Sequence, residues 1–139
     1  MLKTQTTNNQ NSQEPGIWER VKAYRSLWLL AIGVLVVDQL SKAWINDTLP
    51  FNAYYPPHNI PVISGFFNIV HVGNTGAAWG LFADKSFILA ILAIVTLVAI
   101  FVYRKHLFLK QLPVQISFGL LCGGIVGNLS DRLIYGHVI

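Results

Sequence analysis

Long apolar runs, separated by polar and turn-forming segments, set the pattern of this chain. The first run extends without a charge from Ser26 to Val37 and continues through a few polar residues to about Ile45. A second uncharged run covers Ser86–Tyr103, and a third starts near Pro113 and runs towards Leu129. Because about 20 residues of helix cross a hydrocarbon core of ~30 Å, the pattern predicts three transmembrane helices.

The segment between the first two apolar runs differs in kind. Prolines at positions 50, 56, 57 and 61 exclude a continuous helix there. The stretch PVISGFFNIVHVGN is rich in β-branched and aromatic residues, which is typical of short strands. We expect a small sheet on the membrane surface, followed by a turn at GNTG and a short apolar stretch, AAWGLF.

The N-terminal part of the chain is polar. Residues 1–14 are rich in Asn, Gln and Thr without an apolar period, which predicts a disordered tail, and a basic stretch follows them. We therefore divide the chain into a disordered and basic cytoplasmic tail over residues 1–25 and one membrane domain over residues 26–139.

The composition also indicates a protein that lies in a membrane. The chain is 53% hydrophobic and only 12% charged, whereas soluble domains carry about 25% charged residues. The formal net charge of +4 does not indicate a nucleic-acid partner, because most basic residues flank the apolar runs, where they suit the headgroups of membrane lipids. These flanking residues are Arg20, Lys22, Arg25, Arg104, Lys105 and Lys110.

The same charges predict a topology. Basic clusters before the first helix and after the second favour the cytoplasmic side, so the N-terminus lies inside and the first and third helices both run outwards. Polar residues distant in sequence then meet at the outer face of the membrane. They are Asp38, Lys42, Asn74, Asp131 and Arg132.

Spacing relates some of these residues to one another. Asp38 and Lys42 are four apart and share a helix face, which suits an ion pair near the interface as well as a functional role. Asn128 and Asp131 point the same way at the end of the third helix, whereas adjacent Asp131 and Arg132 are poorly placed to pair. Asn74, between two glycines, suits an ordinary turn.

A glycine stripe on the third helix predicts close packing. Gly119, Gly123 and Gly127 are four apart, which lets another helix approach closely.

Conventional hydrolase and metal sites are not indicated by the sequence. Its four histidines lack the spacing of metal ligands, no GxSxG elbow or phosphate loop is present, and Cys122 stands alone. We expect no metal and no cofactor.

Three motifs nevertheless resemble one known family. DQLSKAW, FFNIVHVGNTGAAWGLF and GGIVGNLSDRLIYGHVI, in this order and spacing, resemble lipoprotein signal peptidase, also called signal peptidase II, over residues 26–139. The resemblance implies a mainly α bacterial inner-membrane aspartic endopeptidase with four transmembrane helices and an extracytoplasmic β-sheet cradle. Its substrates would be diacylglyceryl-modified prolipoproteins, cut before the lipidated cysteine.

The resemblance also implies roles for single residues. Asp38 and Lys42 would be the polar pair of the first helix, and Asn74 would line the substrate site. The GNxxDR group would shape and support the active site through Asn128, Asp131 and Arg132.

The family's catalytic aspartates have no counterpart in these residues. The resemblance places one directly after Ile139 and the other in an FNxAD motif on a fourth helix. We therefore expect a membrane domain incomplete at its C-terminus, inactive as given, with no catalytic residue within it. A missing fourth helix is also expected to leave the glycine stripe without one partner.

Two other hypotheses stay open at this point. One is a non-catalytic membrane relic that binds lipopeptides. The other is a small transporter subunit with an intramembrane charge pair, whose helices would associate through the glycine stripe into a pore.

Overall fold

The computed structural model describes residues 16–52, 54–78 and 81–139. The predicted disordered tail over residues 1–14 lies outside these ranges. Within the described part, four helices and one antiparallel hairpin follow each other along the chain. They are α1 (Ile17–Ala23), α2 (Arg25–Thr48), β1 (Ile60–Ile63), β2 (Phe67–Ile69), α3 (Ser86–Tyr103) and α4 (Leu112–Tyr135).

The three predicted transmembrane helices are confirmed. Helices α2, α3 and α4 are each long and apolar enough to cross a membrane, with mean hydropathies of 1.5, 2.8 and 1.5. Helix α3 has the predicted bounds, whereas α4 continues past Leu129 to Tyr135. It continues because the polar side chains of its last turns, such as Asp131, are bonded within the protein and do not end the helix.

Large apolar side chains cover the outside of these helices. Leu29, Phe87 and Phe101 are 70%, 77% and 65% exposed, respectively. A water-soluble bundle of this composition would turn such residues inwards, since apolar burial is the main drive to fold in water. The outward-facing apolar surface therefore belongs in the hydrocarbon of a bilayer.

The glycine stripe of α4 packs against α2. Gly119, Gly123 and Gly127 are all buried, and a Cβ atom at Gly123 would lie 2.7 Å from both the carbonyl oxygen of Ala31 and the Cβ of Val34. The predicted close approach of another helix to the stripe is thus made by α2. The stripe is also already occupied within one chain, so it is not free to join helices into a pore.

Helix α1 was not predicted. It covers Ile17–Ala23 in the basic stretch, too short a segment to show an apolar period, and Tyr24 joins it to α2. The amide of Gln115, a buried residue of α4, donates a 2.8 Å hydrogen bond to the carbonyl of Ala23. This bond fixes the junction between α1 and α2 against the start of α4.

The predicted small sheet is a two-stranded hairpin. Strands β1 and β2 are antiparallel, with Ile60 opposite Ile69, and Gly65 turns the chain with a φ of 74°. Phe66, in the same turn, is 85% exposed. The hairpin follows the C-terminal end of α2 and so lies at that end of the molecule.

The close contact between α2 and α4 can be tested with a matched pair of substitutions on α4. Gly123→Ala is expected to lower the free energy of unfolding by about 1–3 kcal/mol, because the new methyl group meets backbone of α2. Gly124→Ala places the same methyl group where nothing lies within 4 Å, so it should leave stability equal or raised. Thermal unfolding in one detergent compares the two, and equal losses would contradict the packing described.

Candidate functional site

The C-terminal ends of α2 and α4 lie side by side, because the two helices run parallel. Leu27 and Ala31 of α2 meet the first glycines of the stripe, and Asp38 meets Gly127 one level further along. The sequence positions rise together on both helices. As a result, the polar residues of both helices gather at one end of the molecule.

Lys42 is the centre of this polar cluster. Its Nζ lies 2.8 Å from Asp38 Oδ2, 2.7 Å from Asp131 Oδ2 and 3.0 Å from Asn128 Oδ1. An ammonium group has three protons, so each of them has an acceptor. The structure thus brings together four of the six residues predicted for the site.

Asp131 is the most buried member of the cluster. Its relative exposure is 0%, and both of its carboxylate oxygens accept hydrogen bonds. Oδ1 accepts a 3.0 Å bond from Gln39 Nε2, and Oδ2 accepts bonds from Lys42 and from the backbone N–H of Ile139, the latter at 3.3 Å. Because a buried carboxylate without partners is very costly, these contacts are needed to keep it there.

Gln39 is a member of the cluster that the sequence analysis missed. Its Nε2 donates towards Asp38 Oδ2 at 3.1 Å, Asp131 Oδ1 at 3.0 Å and the Gly127 carbonyl at 3.3 Å. It was overlooked because only charged residues of α2 were singled out. Aligning α2 against the glycine stripe of α4 would have found it, since Gln39 lies beside the contact between α2 and Gly127.

Gly127 makes room for the cluster. A Cβ atom there would collide with the carboxylate of Asp38, which lies directly against the backbone of α4. The absence of a side chain therefore allows Asp38 to reach the interface between the two helices and meet Lys42 and Gln39 there.

The chain after α4 turns back to meet the outer loop. Gly136 ends the helix in the left-handed conformation, with a φ of 77°, and its N–H donates to the Arg132 carbonyl. Asn74 and Val138 then exchange two backbone hydrogen bonds, of 2.7 and 3.0 Å. The loop and the tail form one short antiparallel bridge next to the cluster.

Asn74 reaches the cluster only through the backbone. Its side-chain oxygen accepts a 2.9 Å hydrogen bond from the N–H of Gly76, within its own loop. Its backbone partner, Val138, precedes Ile139, which donates to Asp131. The structure therefore places the Asn74 side chain as a loop-shaping group beside the cluster and not in it.

Arg132 joins the loop to α4. Its guanidinium donates from Nη2 to the Gly76 carbonyl at 3.1 Å and from Nη1 to the Asn128 carbonyl at 3.3 Å. Since the ion pair of Asp131 is made with Lys42, Arg132 and Asp131 serve different partners, in keeping with their different directions on the helix.

A second layer of contacts, also missed from the sequence, lies beneath the loop. His71 is buried, and its Nδ1 donates a 2.9 Å hydrogen bond to the Leu49 carbonyl just after α2. The ring of Phe51 lies 5.2 Å from the rings of both His71 and His137. These aromatic contacts hold the end of α2, the loop and the tail after α4 together.

Comparison with known proteins identifies relatives over most of the chain. The family model described as Signal peptidase (SPase) II matches residues 30–139. A lipoprotein signal peptidase of Clostridium acetobutylicum is 38% identical over 111 residues, which are 80% of this chain and 68% of the relative. The protein of the same name from Moorella thermoacetica is 36% identical over 111 residues, 80% of this chain and 71% of its own.

A solved structure has the same fold. It is described as a bacterial membrane enzyme determined by the in meso method at 2.3 Å resolution, and it is 32% identical to this chain with a TM-score of 0.67. The match covers 79% of this chain and 64% of that structure's chain. The present sequence thus spans about two thirds of the length of the proteins it resembles.

The buried ion pairs of Lys42 are expected to contribute strongly to stability. Lys42→Met should lower the free energy of unfolding by ~3–5 kcal/mol, because it leaves the carboxylate of Asp131 buried without its cation. Lys22→Met removes an exposed pair with Glu19 and should cost at most about 1 kcal/mol. Chemical unfolding in mixed micelles measures both, and similar losses would show that the Lys42 cluster is not a buried network.

The bridge that Arg132 makes between the loop and α4 can be tested by substitution. Arg132→Lys keeps the charge but loses the planar fork that spans Gly76 and Asn128. Hydrogen exchange of the Val138 amide, which is bonded to Asn74, should then become at least about tenfold faster, since hydrogen bonds to charged groups contribute roughly 1.5–3 kcal/mol. Arg104→Lys is the control, and unchanged exchange in Arg132→Lys would contradict the bridging role.

Proposed function

The chain belongs to the signal peptidase II family, and from that premise we propose that it forms the scaffold of an aspartic endopeptidase that removes signal peptides from diacylglyceryl-modified prolipoproteins. In this proposal the Lys42 cluster is a positioning device. It orders the backbone that leads into the catalytic centre, and it carries out no proton transfer itself.

One observation carries the proposal. The buried carboxylate of Asp131 accepts a hydrogen bond from the N–H of Ile139. The resemblance places a catalytic aspartate directly after Ile139, so Asp131 holds the residue adjacent to that position. The pairing of Val138 with Asn74 fixes the same segment from its other side.

The chemistry of aspartic peptidases explains why this position matters. Two neighbouring carboxylates share one proton, so that one activates water as a base while the other donates to the peptide carbonyl. Asp38 and Asp131 do not have this arrangement, because the ammonium of Lys42 lies between them. We assign them to support, and we assign the dyad to the two family positions, which fall outside the 139 residues.

The outer end of the molecule suits a lipidated peptide. The hairpin exposes apolar side chains, among them Val62, Ile63 and Phe67, at the same end as the cluster. An extended peptide could lie along this hairpin while its lipid stays in the bilayer. Asn74 contributes by shaping the loop beside that path.

Charge supports an orientation for this site. The basic residues Lys22, Arg25 and Arg104 lie at the opposite ends of the helices from the cluster. By the excess of positive charge on cytoplasmic sides, we place the N-terminus in the cytoplasm and the cluster at the outer face of the inner membrane.

A reconstituted cleavage assay tests the proposal. The 139-residue chain, which matches 68% of the Clostridium acetobutylicum relative, is compared with a form extended after Ile139 by a segment that carries the two family aspartates. Both are placed in liposomes with a diacylglyceryl-modified prolipoprotein, and the product is followed by mass. We expect cleavage only by the extended form, because it alone supplies both family aspartates.

Substitutions in the extended form test the positioning role. Asp131→Asn should lower kcat about 100-fold with little change in KM, since a small misplacement of a reacting group costs that much in rate. Asp47→Asn, an exposed carboxylate in the last turn of α2, should leave both constants unchanged. A purely structural role for Asp131 would instead lower the folded fraction with kcat per folded molecule preserved.

The outcomes separate the hypotheses. Cleavage by the 139 residues alone would overturn the assignment of the dyad. Binding of the lipidated substrate by both folded forms without any cleavage would favour the non-catalytic lipopeptide-binding hypothesis.

A further inference from the structure

A groove opens at the end of the bundle opposite the Lys42 cluster. Helices α2 and α3 each pack against α4 and leave a space of about 540 Å³ between them. Trp28 and Ile32 line it from α2, Leu97 and Phe101 from α3, and Cys122 from α4. We call this space the inner groove, and its walls are almost entirely apolar.

The part of the inner groove that follows α2 fits within one leaflet of a bilayer. Along α2 its lining extends from Leu27 to Leu35, which corresponds to about 12 Å at ~1.5 Å per residue. Half of a ~30 Å hydrocarbon core is about 15 Å. A transmembrane helix would need a groove along the whole span, whereas a single acyl chain needs only this length.

A basic side chain lies at the end of the groove that is farthest from the Lys42 cluster. The guanidinium of Arg104 sits 4.3 Å above the ring of Phe101, and its Nη1 donates to the Phe101 carbonyl at 2.6 Å. Among residues 16–52, 54–78 and 81–139, no carboxylate lies within ion-pair distance of it. Since a guanidinium has five N–H donors, most of them stay available to an oxyanion.

We propose that the inner groove binds one acyl chain of an anionic phospholipid whose phosphate is bound by Arg104. The neighbouring basic residues Lys105 and Lys110 add to the positive potential at this end. A zwitterionic headgroup also carries a cationic group, for which an acidic side chain would be the favourable partner. Glu19, the acidic residue of α1, is already paired with Lys22, so such a headgroup is expected to bind less tightly. The site lies far from the Lys42 cluster, so this proposal does not depend on the proposed function.

Fluorescence of Trp28 provides the test, because this side chain lines the groove. Trp18, Trp44 and Trp79 are replaced by Phe in the full chain, which is placed in phosphatidylcholine vesicles. Phosphatidylglycerol or phosphatidylcholine with brominated acyl chains is then added at matched mole fractions. We expect the brominated phosphatidylglycerol to reach half-maximal quenching of Trp28 at an about fivefold lower mole fraction than the brominated phosphatidylcholine. This factor corresponds to the attraction of one basic residue to an anionic lipid surface.

Matched variants separate a site from a diffuse charge effect. Arg104→Gln should abolish the preference, Arg104→Lys should retain part of it, and Lys105→Gln, one residue away, should retain most of it. A chain whose sole tryptophan is Trp44, near the other end of α2, should show no preference. Helix content by circular dichroism confirms that each variant is folded.

Three results would overturn the proposal. Equal quenching by both brominated lipids would mean that the groove does not select the headgroup. Equal loss of preference in Arg104→Gln and Lys105→Gln would mean a diffuse attraction to the basic end. The same preference at Trp44 would mean general enrichment of anionic lipid around the protein.

Discussion

The carboxylate of Asp131 has no access to solvent, and its place in the structure depends on the ammonium of Lys42. A buried ion pair is retained only when its remaining polar atoms also find partners, because the desolvation of each charge is costly. Here Asp38, Asn128, Gln39 and the backbone after α4 supply them. The requirement to satisfy one buried charge thus sets the relative position of two helices and a tail.

The polar cluster depends in turn on apolar packing one level below it. The glycines of α4 bring its backbone close to that of α2, and only at that separation can Asp38 lie against Gly127 while Lys42 bonds to both helices. Packing energy and hydrogen-bond geometry therefore reinforce each other along one line of contact. A side chain at Gly123 would act on the cluster through this line even though it would touch no residue of the cluster.

How far the sequence predicts this structure depends on the kind of signal that each element has. Helix α3 was predicted to the residue because it is a long uncharged run between basic and polar residues. The end of α4 was placed too early, since hydropathy cannot tell that Asp131 is bonded inside the protein. Gln39 and the partner of the glycine stripe were missed because each is defined by a contact distant in sequence. Helix α1 was missed because its seven residues are too few to show an apolar period. The polar residues gathered by Lys42 could be named in advance, whereas the local hydrogen bond of the Asn74 side chain could not.

The parallel pairing of α2 and α4 fixes an order of assembly in the membrane. Lys42 and Asn128 are 86 positions apart, with the hairpin and α3 between them. During synthesis α2 enters the bilayer with only Asp38 to satisfy Lys42, and α3 inserts next without touching either of them. The polar core closes when α4 arrives, so the chain spends the interval as separate helices held by the bilayer. Helix α4 is therefore the element that joins the two earlier membrane helices into one packed unit.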